Sequence, residues 1–590
     1  MLDLLIKGGT VVDGSGQAGF TADVGIANGR IVEVGRLSTT AVETIDANGA
    51  LVTPGFVDIH THFDGQASWD ETFSPIAEHG VTTVVMGNCG VGFAPLRPGD
   101  QARLVSLMEG VEEIPGAALS EGIRWGWESF ADFMHALDGI PHSLDFMTLV
   151  PHDCVRLYVM GDRAARGEPA TTADLAEMQQ LLHAALAAGA VGFSTGRSDN
   201  HRTSKGEETP AAEASGEELV ALAQAFAGLP YRVLHAVSDF NCMRGEPADQ
   251  RARFDTEYAM LESVARAAGR PLGLTCLERI NSPEQWRWLV EKAAASSLRG
   301  IDIRLQVASR GIGLLNGLET SFNVLMAFPS YQELSTLPLA ERVVRLRDPS
   351  VRARILAETP VKLARDGSSV PPLADQILSR IDQAAMLMYP FDTKRTPDYE
   401  PDPMTSFGVQ ALQKSTGALG LIYDWLATGD GENLVYFPIF NYLGGSLETT
   451  HAMLTSPHAL AALGDAGAHV GTVCDASMTT MLLGYWTRTR ERGPRLPLPL
   501  AVEMLSGRNA RHLGLTDRGL VKAGLRADLN IVDYDNLRIE PPRMVHDLPA
   551  GGRRFVQGAH GYIATLVAGQ RICENGRMTA ARPGRLVRAS

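Results

Sequence analysis

Between residue 54 and about residue 307 of this 590-residue chain, short apolar runs alternate with helical stretches, and that alternation constrains the fold most. The runs cover residues 51–59, 81–86, 144–150, 190–194, 231–235, 272–276 and 301–307. Between them, residues 173–188 carry Leu175, Met178, Leu182 and Leu186 on one helical face before Gly189. Ser215-Gly216-Glu217-Glu218 has the pattern of a capping box and opens another helix. Strands joined by helices return in the same direction, so repeated units of this kind imply a parallel sheet. This many units without an obvious switch favour a closed TIM (β/α)8 barrel of the α/β class. Regularity lapses over roughly 308–455, which contains the proline-rich patch Tyr399-Glu400-Pro401-Asp402-Pro403 and reads as an insertion over the barrel mouth. It returns at 459–464, the expected eighth strand.

The two ends of the chain look different. Residues 1–53 read as short β-strands with a hairpin turn at Asn28-Gly29, too few to form a core alone. The β signal comes back from about 516, in 527–533 and 564–569. The expected organisation is therefore a small β-sandwich built from 1–53 and 516–590, with the barrel and its insertion in 54–515.

Composition narrows the function. A net charge of −15 argues against a nucleic-acid or anionic-membrane partner. The six cysteines are scattered without paired spacing, as expected of reduced thiols in a cytoplasmic protein. The first residues, Met1-Leu2-Asp3-Leu4-Leu5-Ile6-Lys7, lack the pattern of a signal peptide, and no run approaches the roughly 20 apolar residues of a membrane span. A soluble protein with a small-molecule partner is the expectation.

In a TIM barrel the chemistry sits at the C-terminal ends of the strands. Five residues fall at predicted strand ends: His60 and His62, Cys89, His235 and Asp465. Side chains alternate along a strand, so His60 and His62 share a face. Each residue has a plainer reading: polar groups at a strand exit, a small buried hydrophobe for Cys89, a core histidine for His235, a turn or N-cap aspartate for Asp465. Their gathering on one rim, with imidazole, thiolate and carboxylate all acceptable to zinc, favours a metal site.

The pattern resembles the amidohydrolase superfamily, and within it the D-aminoacylase (N-acyl-D-amino-acid deacylase) branch. The resemblance rests on Pro54-Gly55-Phe56-Val57-Asp58-Ile59-His60-Thr61-His62, on Gly87-Asn88-Cys89-Gly90, on Gly189 to Gly196, on the Asp465 segment and on Asp517-Arg518-Gly519 with Ala527-Asp528-Leu529. It implies one or two Zn2+ per chain, held by His60, His62, Cys89, His235 and Asp465, with Asp465 as general base and acid. Many members of the superfamily bridge two metals with a carboxylated lysine. Neither 190–194 nor 144–150 contains a lysine, so the thiolate of Cys89 is the expected bridging ligand. The family's sixth-strand histidine is missing from Leu274-Thr275-Cys276-Leu277-Glu278. Cys276 there is read as a free buried cysteine, with a substitute soft ligand as the alternative.

The implied reaction is hydrolysis of a linear amide, an N-acyl-D-amino acid above all. His469 is a candidate to bind an oxyanion or a substrate carboxylate, with a loop histidine as the plainer reading, and Trp125, Trp127, Tyr399 and Arg202 are candidate pocket residues. Hydrolysis of another or a cyclic amide stays open, as does a non-catalytic scaffold. A homo-oligomer is a further expectation of the resemblance.

Overall fold

The structure is a computed structural model that describes residues 1–363 and 372–589. Eight parallel strands form the barrel sheet: β1 (Phe56–Asp58), β2 (Val81–Met86), β3 (Asp145–Pro151), β4 (Gly192–Arg197), β5 (Val233–Ser238), β6 (Leu272–Thr275), β7 (Ile303–Val307) and β8 (Ala459–Ala461). They neighbour one another in sequence order. All eight expected strands are there, with shifted ends. The apolar run 51–59 serves two sheets: Leu51–Pro54 pairs with terminal strands, and the chain turns at Gly55 to begin β1.

The seam between β1 and β8 is clipped rather than laddered. The Asp465 N–H donates to His60 O (3.2 Å), and the His62 N–H donates to Ala466 O (2.8 Å). Below them the Asn509 side-chain amide donates to both Val57 O and Ala461 O, each at 2.8 Å. The segments that close the barrel are thus the ones that carry candidate ligands.

Helix Thr172–Ala187 starts one residue earlier than the sequence suggests, with Thr171 and Asp174 forming a reciprocal capping box. Ser215 caps helix Gly216–Ala223 by accepting from the Glu218 N–H. The carboxylate of Glu218 goes elsewhere, taking His152 and Arg156 in a buried cluster.

The terminal segments build one nine-stranded mixed sheet, in which Leu529–Val532 lies antiparallel to Leu51–Pro54 and Leu51–Pro54 lies parallel to Leu2–Val11. The Asp517-Arg518-Gly519 and Ala527-Asp528-Leu529 motifs bolt this sheet to the barrel. Arg518 and Arg526 both reach Asp145 at the start of β3, and Arg526 also holds Asp528. The C-terminal residues run beneath the barrel, where Val587 and Ala589 pack on the interior cluster of Val57, Val85, Met147, Leu149 and Val233.

Within the insertion, strands Ile312–Asn316, Tyr389–Phe391 and Leu434–Phe440 form a separate sheet, and helices around them enclose a core of Phe328, Tyr331, Ile355, Ile422 and Phe437. Residues 364–371 of the insertion lie outside the described residues. Among the described residues, no helix is long and apolar enough to cross a membrane.

Candidate metal centre

His60 and His62 lie just past β1, where the His60 N–H donates to Asp58 Oδ1 (3.0 Å) and the Thr61 N–H to Val85 O (3.0 Å). Cys89 lies just past β2 in a left-handed conformation (φ 56°). Its loop is laced in place. The Gly87 N–H donates to Asp64, Asn88 Nδ2 donates to Thr61 O and Val85 O, and Ser194 on β4 accepts from the Gly90 N–H.

These loops bring donor atoms of His60, His62 and Cys89 within 4.8 Å of one another. Cys89 Sγ is 3.4 Å from His60 Nε2 and 3.7 Å from His62 Nε2. Asp465 Oδ1 is 3.4 Å and 3.8 Å from the same two nitrogens. Donors about 2.0–2.3 Å from one shared ion stand roughly 3.3–3.8 Å apart, so the spacing suits a metal.

The electrostatics point the same way. Burial and then the charges of Glu112, Asp465, Asp64 and Asp153 push the Cys89 thiol well above its ordinary range. The carboxylates around it disfavour a thiolate, and a bound cation would offset them. Burial, then His60, keep His62 neutral with a free lone pair. Asp465 Oδ1 is buried without a hydrogen-bond donor. The donor set fits a metal cofactor.

His235 and His469 have side-chain partners of their own. β5 extends to Ser238, so His235 is the third residue of the strand rather than its end. Its Nδ1 meets Asn88 Oδ1 (3.0 Å) and its Nε2 meets His512 Nε2 (3.1 Å). His469 turns Nδ1 to Glu113 (3.4 Å) and Nε2 to Glu112 (3.7 Å). Burial alone would lower its pKa, but these carboxylates outweigh that and hold it up at about 9.

Cys276 is a free buried cysteine, as read, and the alternative of a substitute ligand falls. On β6 the Cβ direction of Gly273 meets His235 and Gln306, so by alternation Thr275 faces inward and Leu274 and Cys276 outward. Cys276 packs in the outer core, its Sγ 3.5 Å from Met453 Sδ. Trp125 and Trp127 sit in an aromatic cluster with Phe93 and Phe133, Tyr399 is buried under the Arg310 guanidinium, and Arg202 pairs with Glu208.

Sequence reasoning passed over Gln306 and Glu112. Gln306 Oε1 is 2.6 Å from His60 Nδ1, and Glu112 Oε1 is 3.4 Å from His62 Nδ1. One signal for the second was available. Glu112 and Glu113 end helix Gln101–Glu112, where carboxylates oppose the helix dipole.

The model of the Amidohydrolase family matches residues 43–387 and 417–573. The chain belongs to the amidohydrolase family. A D-aminoacylase of Alcaligenes xylosoxydans xylosoxydans is 37% identical over 221 residues, 37% of this amidohydrolase and 40% of that protein. The sequence match therefore spans about two fifths of the curated relative's length. A solved D-aminoacylase with a binuclear metal center superposes with a TM-score of 0.64 at 22% identity, covering 100% of both chains. The N-acyl-D-glutamate deacylase from Bordetella bronchiseptica, complexed with zinc and a phosphonate inhibitor, gives 0.63 at 23% identity, again over 100% of each. The resemblance read from the Gly-Asn-Cys-Gly loop is borne out, and the structural likeness establishes a shared fold.

Proposed function

We propose that this amidohydrolase is a zinc-dependent hydrolase of linear amides, with N-acyl-D-amino acids as the leading substrate class. The observation that carries the reading is the convergence of His60, His62 and Cys89, with Asp465 Oδ1 facing both imidazoles. The names of the D-aminoacylase relatives support the substrate class.

In this reading His60, His62, Cys89 and Asp465 hold the metal, and His235 serves the site from behind. When bound, the metal supplies Lewis acidity, polarising a carbonyl oxygen and acidifying water near neutral pH. Asp465 accepts the proton of the attacking water and returns it to the leaving nitrogen, so that an amine departs and a carboxylate remains. Its side chain is 17% exposed while both imidazoles are buried, which suits a group that must meet water. The partner is a small-molecule amide.

The test is metal content by elemental analysis together with hydrolysis of N-acetyl-D- and L-amino acids and of a cyclic amide. Zinc with D-selective turnover is the expected result. Turnover of the cyclic amide alone would move the assignment to cyclic substrates. A chain that neither retains added zinc nor hydrolyses any of them would be a scaffold.

A further inference from the structure

The two imidazoles of the candidate centre are gripped from behind by residues that no sequence motif marks. We propose that Gln306 and Glu112 are positioning residues that keep His60 and His62 in the metal-binding tautomer. This rests on the metal reading above and extends it to the residues that hold the ligands.

For His60 the contact is a formed hydrogen bond, Nδ1–H to Gln306 Oε1 at 2.6 Å between buried side chains. With the proton fixed on Nδ1, the lone pair belongs to Nε2, the atom that faces Cys89 and Asp465. Gln306 lies on the inner face of β7 and reaches His60 past the short β8. The space it needs is left by Gly273 on β6, since a Cβ there would stand 2.8 Å from Gln306 Nε2 and 3.0 Å from His235 Cδ2.

For His62 the contact is poised rather than closed. His62 Nδ1 and Glu112 Oε1 are both buried, both lack a hydrogen-bond partner, and face each other at 3.4 Å. Glu112 spans two histidines, its other oxygen standing 3.7 Å from His469 Nε2. A shift of about 0.5 Å closes an ordinary N–H···O bond, and catalytic contacts commonly tighten in this way on loading. One ligand is thus oriented by a neutral amide and the other by an acidic group. Removal of such partners typically weakens metal binding by about 10–100-fold.

The experiment loads the full chain and its Gln306→Met, Gln306→Glu and Glu112→Met variants with Co2+. Dissociation constants come from chelator competition, and the visible spectrum reports the thiolate–cobalt band of Cys89. Gln306→Met and Glu112→Met, which remove the acceptor, are expected to bind about 10–100-fold more weakly with a perturbed spectrum. Gln306→Glu, which can still accept from His60, is expected to bind close to wild type. Thermal melting of the metal-free proteins separates a folding defect from a binding defect, and Glu112→Asp, whose shorter side chain draws the carboxylate back from His62, replaces Glu112→Met if the latter does not fold. Wild-type affinity and spectrum in both Gln306→Met and the Glu112 variant would overturn the proposal. A wild type that binds no cobalt overturns the metal reading itself.

Discussion

His235 Nε2 lies 3.1 Å from His512 Nε2, with the planes of the two buried rings within 13° of each other at a centroid distance of 5.3 Å. The donors along this chain of contacts can be assigned. Asn88 Nδ2 gives its hydrogens to Thr61 O and Val85 O, so Asn88 Oδ1 is the acceptor and His235 Nδ1 carries a proton. His235 Nε2 then accepts from His512, and no lone pair remains for a metal. The wild type is therefore expected to saturate near one metal per chain. His235→Gln should retain that metal and His62→Ala should lose it, as read by elemental analysis after dialysis. Equal loss in both variants would make His235 a ligand.

Gly196, near the end of β4, sets how closely the Cys89 loop approaches the barrel. A Cβ at Gly196 would lie 2.1 Å from Cys89 O, a backbone atom that can yield only if the loop moves. Gly196→Ala is expected to destabilise by about 1–3 kcal/mol, the usual range for overpacking, and to weaken metal binding because the thiol shifts with its backbone. Thermal denaturation with and without zinc checks both effects. An unchanged zinc-dependent rise in the melting temperature would show that the thiol had not moved.

The barrel was legible in the sequence because buried strands such as Val81–Met86 are unbroken apolar runs. Strand ends were less legible. Ala236-Val237-Ser238 reads as the start of a loop yet extends β5, and this carries His235 from the rim into the barrel. His60, His62 and Cys89 could be found because each follows its strand within a few residues. Gln306 could not, since its link to His60 joins residues 246 apart and exists only once the barrel closes. Cys276, read as a free buried cysteine, is one: alternation along β6 turns Thr275 inward and leaves Cys276 in the outer core.

The Asp517-Arg518-Gly519 motif, legible as a family signature, does structural work. Arg518 is 1% exposed and lies among Asp145, Asp517 and Asp528, while Arg526 holds Asp145 and Asp528 from the other side. Removing one member leaves buried carboxylates without their counter-charge, a loss of about 3–5 kcal/mol. Arg518→Met is therefore expected to destabilise the junction of barrel and terminal sheet by that order, measured by urea denaturation. Because the cluster lies at the opposite end of β3 from the candidate centre, metal stoichiometry in the folded variant should stay at the wild-type value.

His79 gives the chain a dependence on pH that is independent of the candidate centre. It is buried just before β2, its Nε2–H donating to Gln557 O (2.8 Å) and its Nδ1 lying 2.8 Å from Thr480 Oγ1. Burial lowers its pKa from 6.5 to about 4, against the opposing effect of the Gln557 bond. The unfolded chain therefore takes up a proton below about pH 6.5 that the folded chain refuses until about pH 4. Stability from neutral His79 is complete above the upper value and drains away as pH falls towards the lower one, by the order of 2–3 kcal/mol. His79→Gln loses the buried contacts and, because glutamine does not titrate, loses this proton linkage as well. Its destabilisation relative to wild type is expected to be largest at pH 7.5 and to shrink by about 2–3 kcal/mol at pH 4.5. Urea denaturation at the two pH values measures the difference, and the other buried histidines cancel because both proteins carry them. A penalty that does not change with pH would mean that His79 titrates in the folded protein as it does in the unfolded chain.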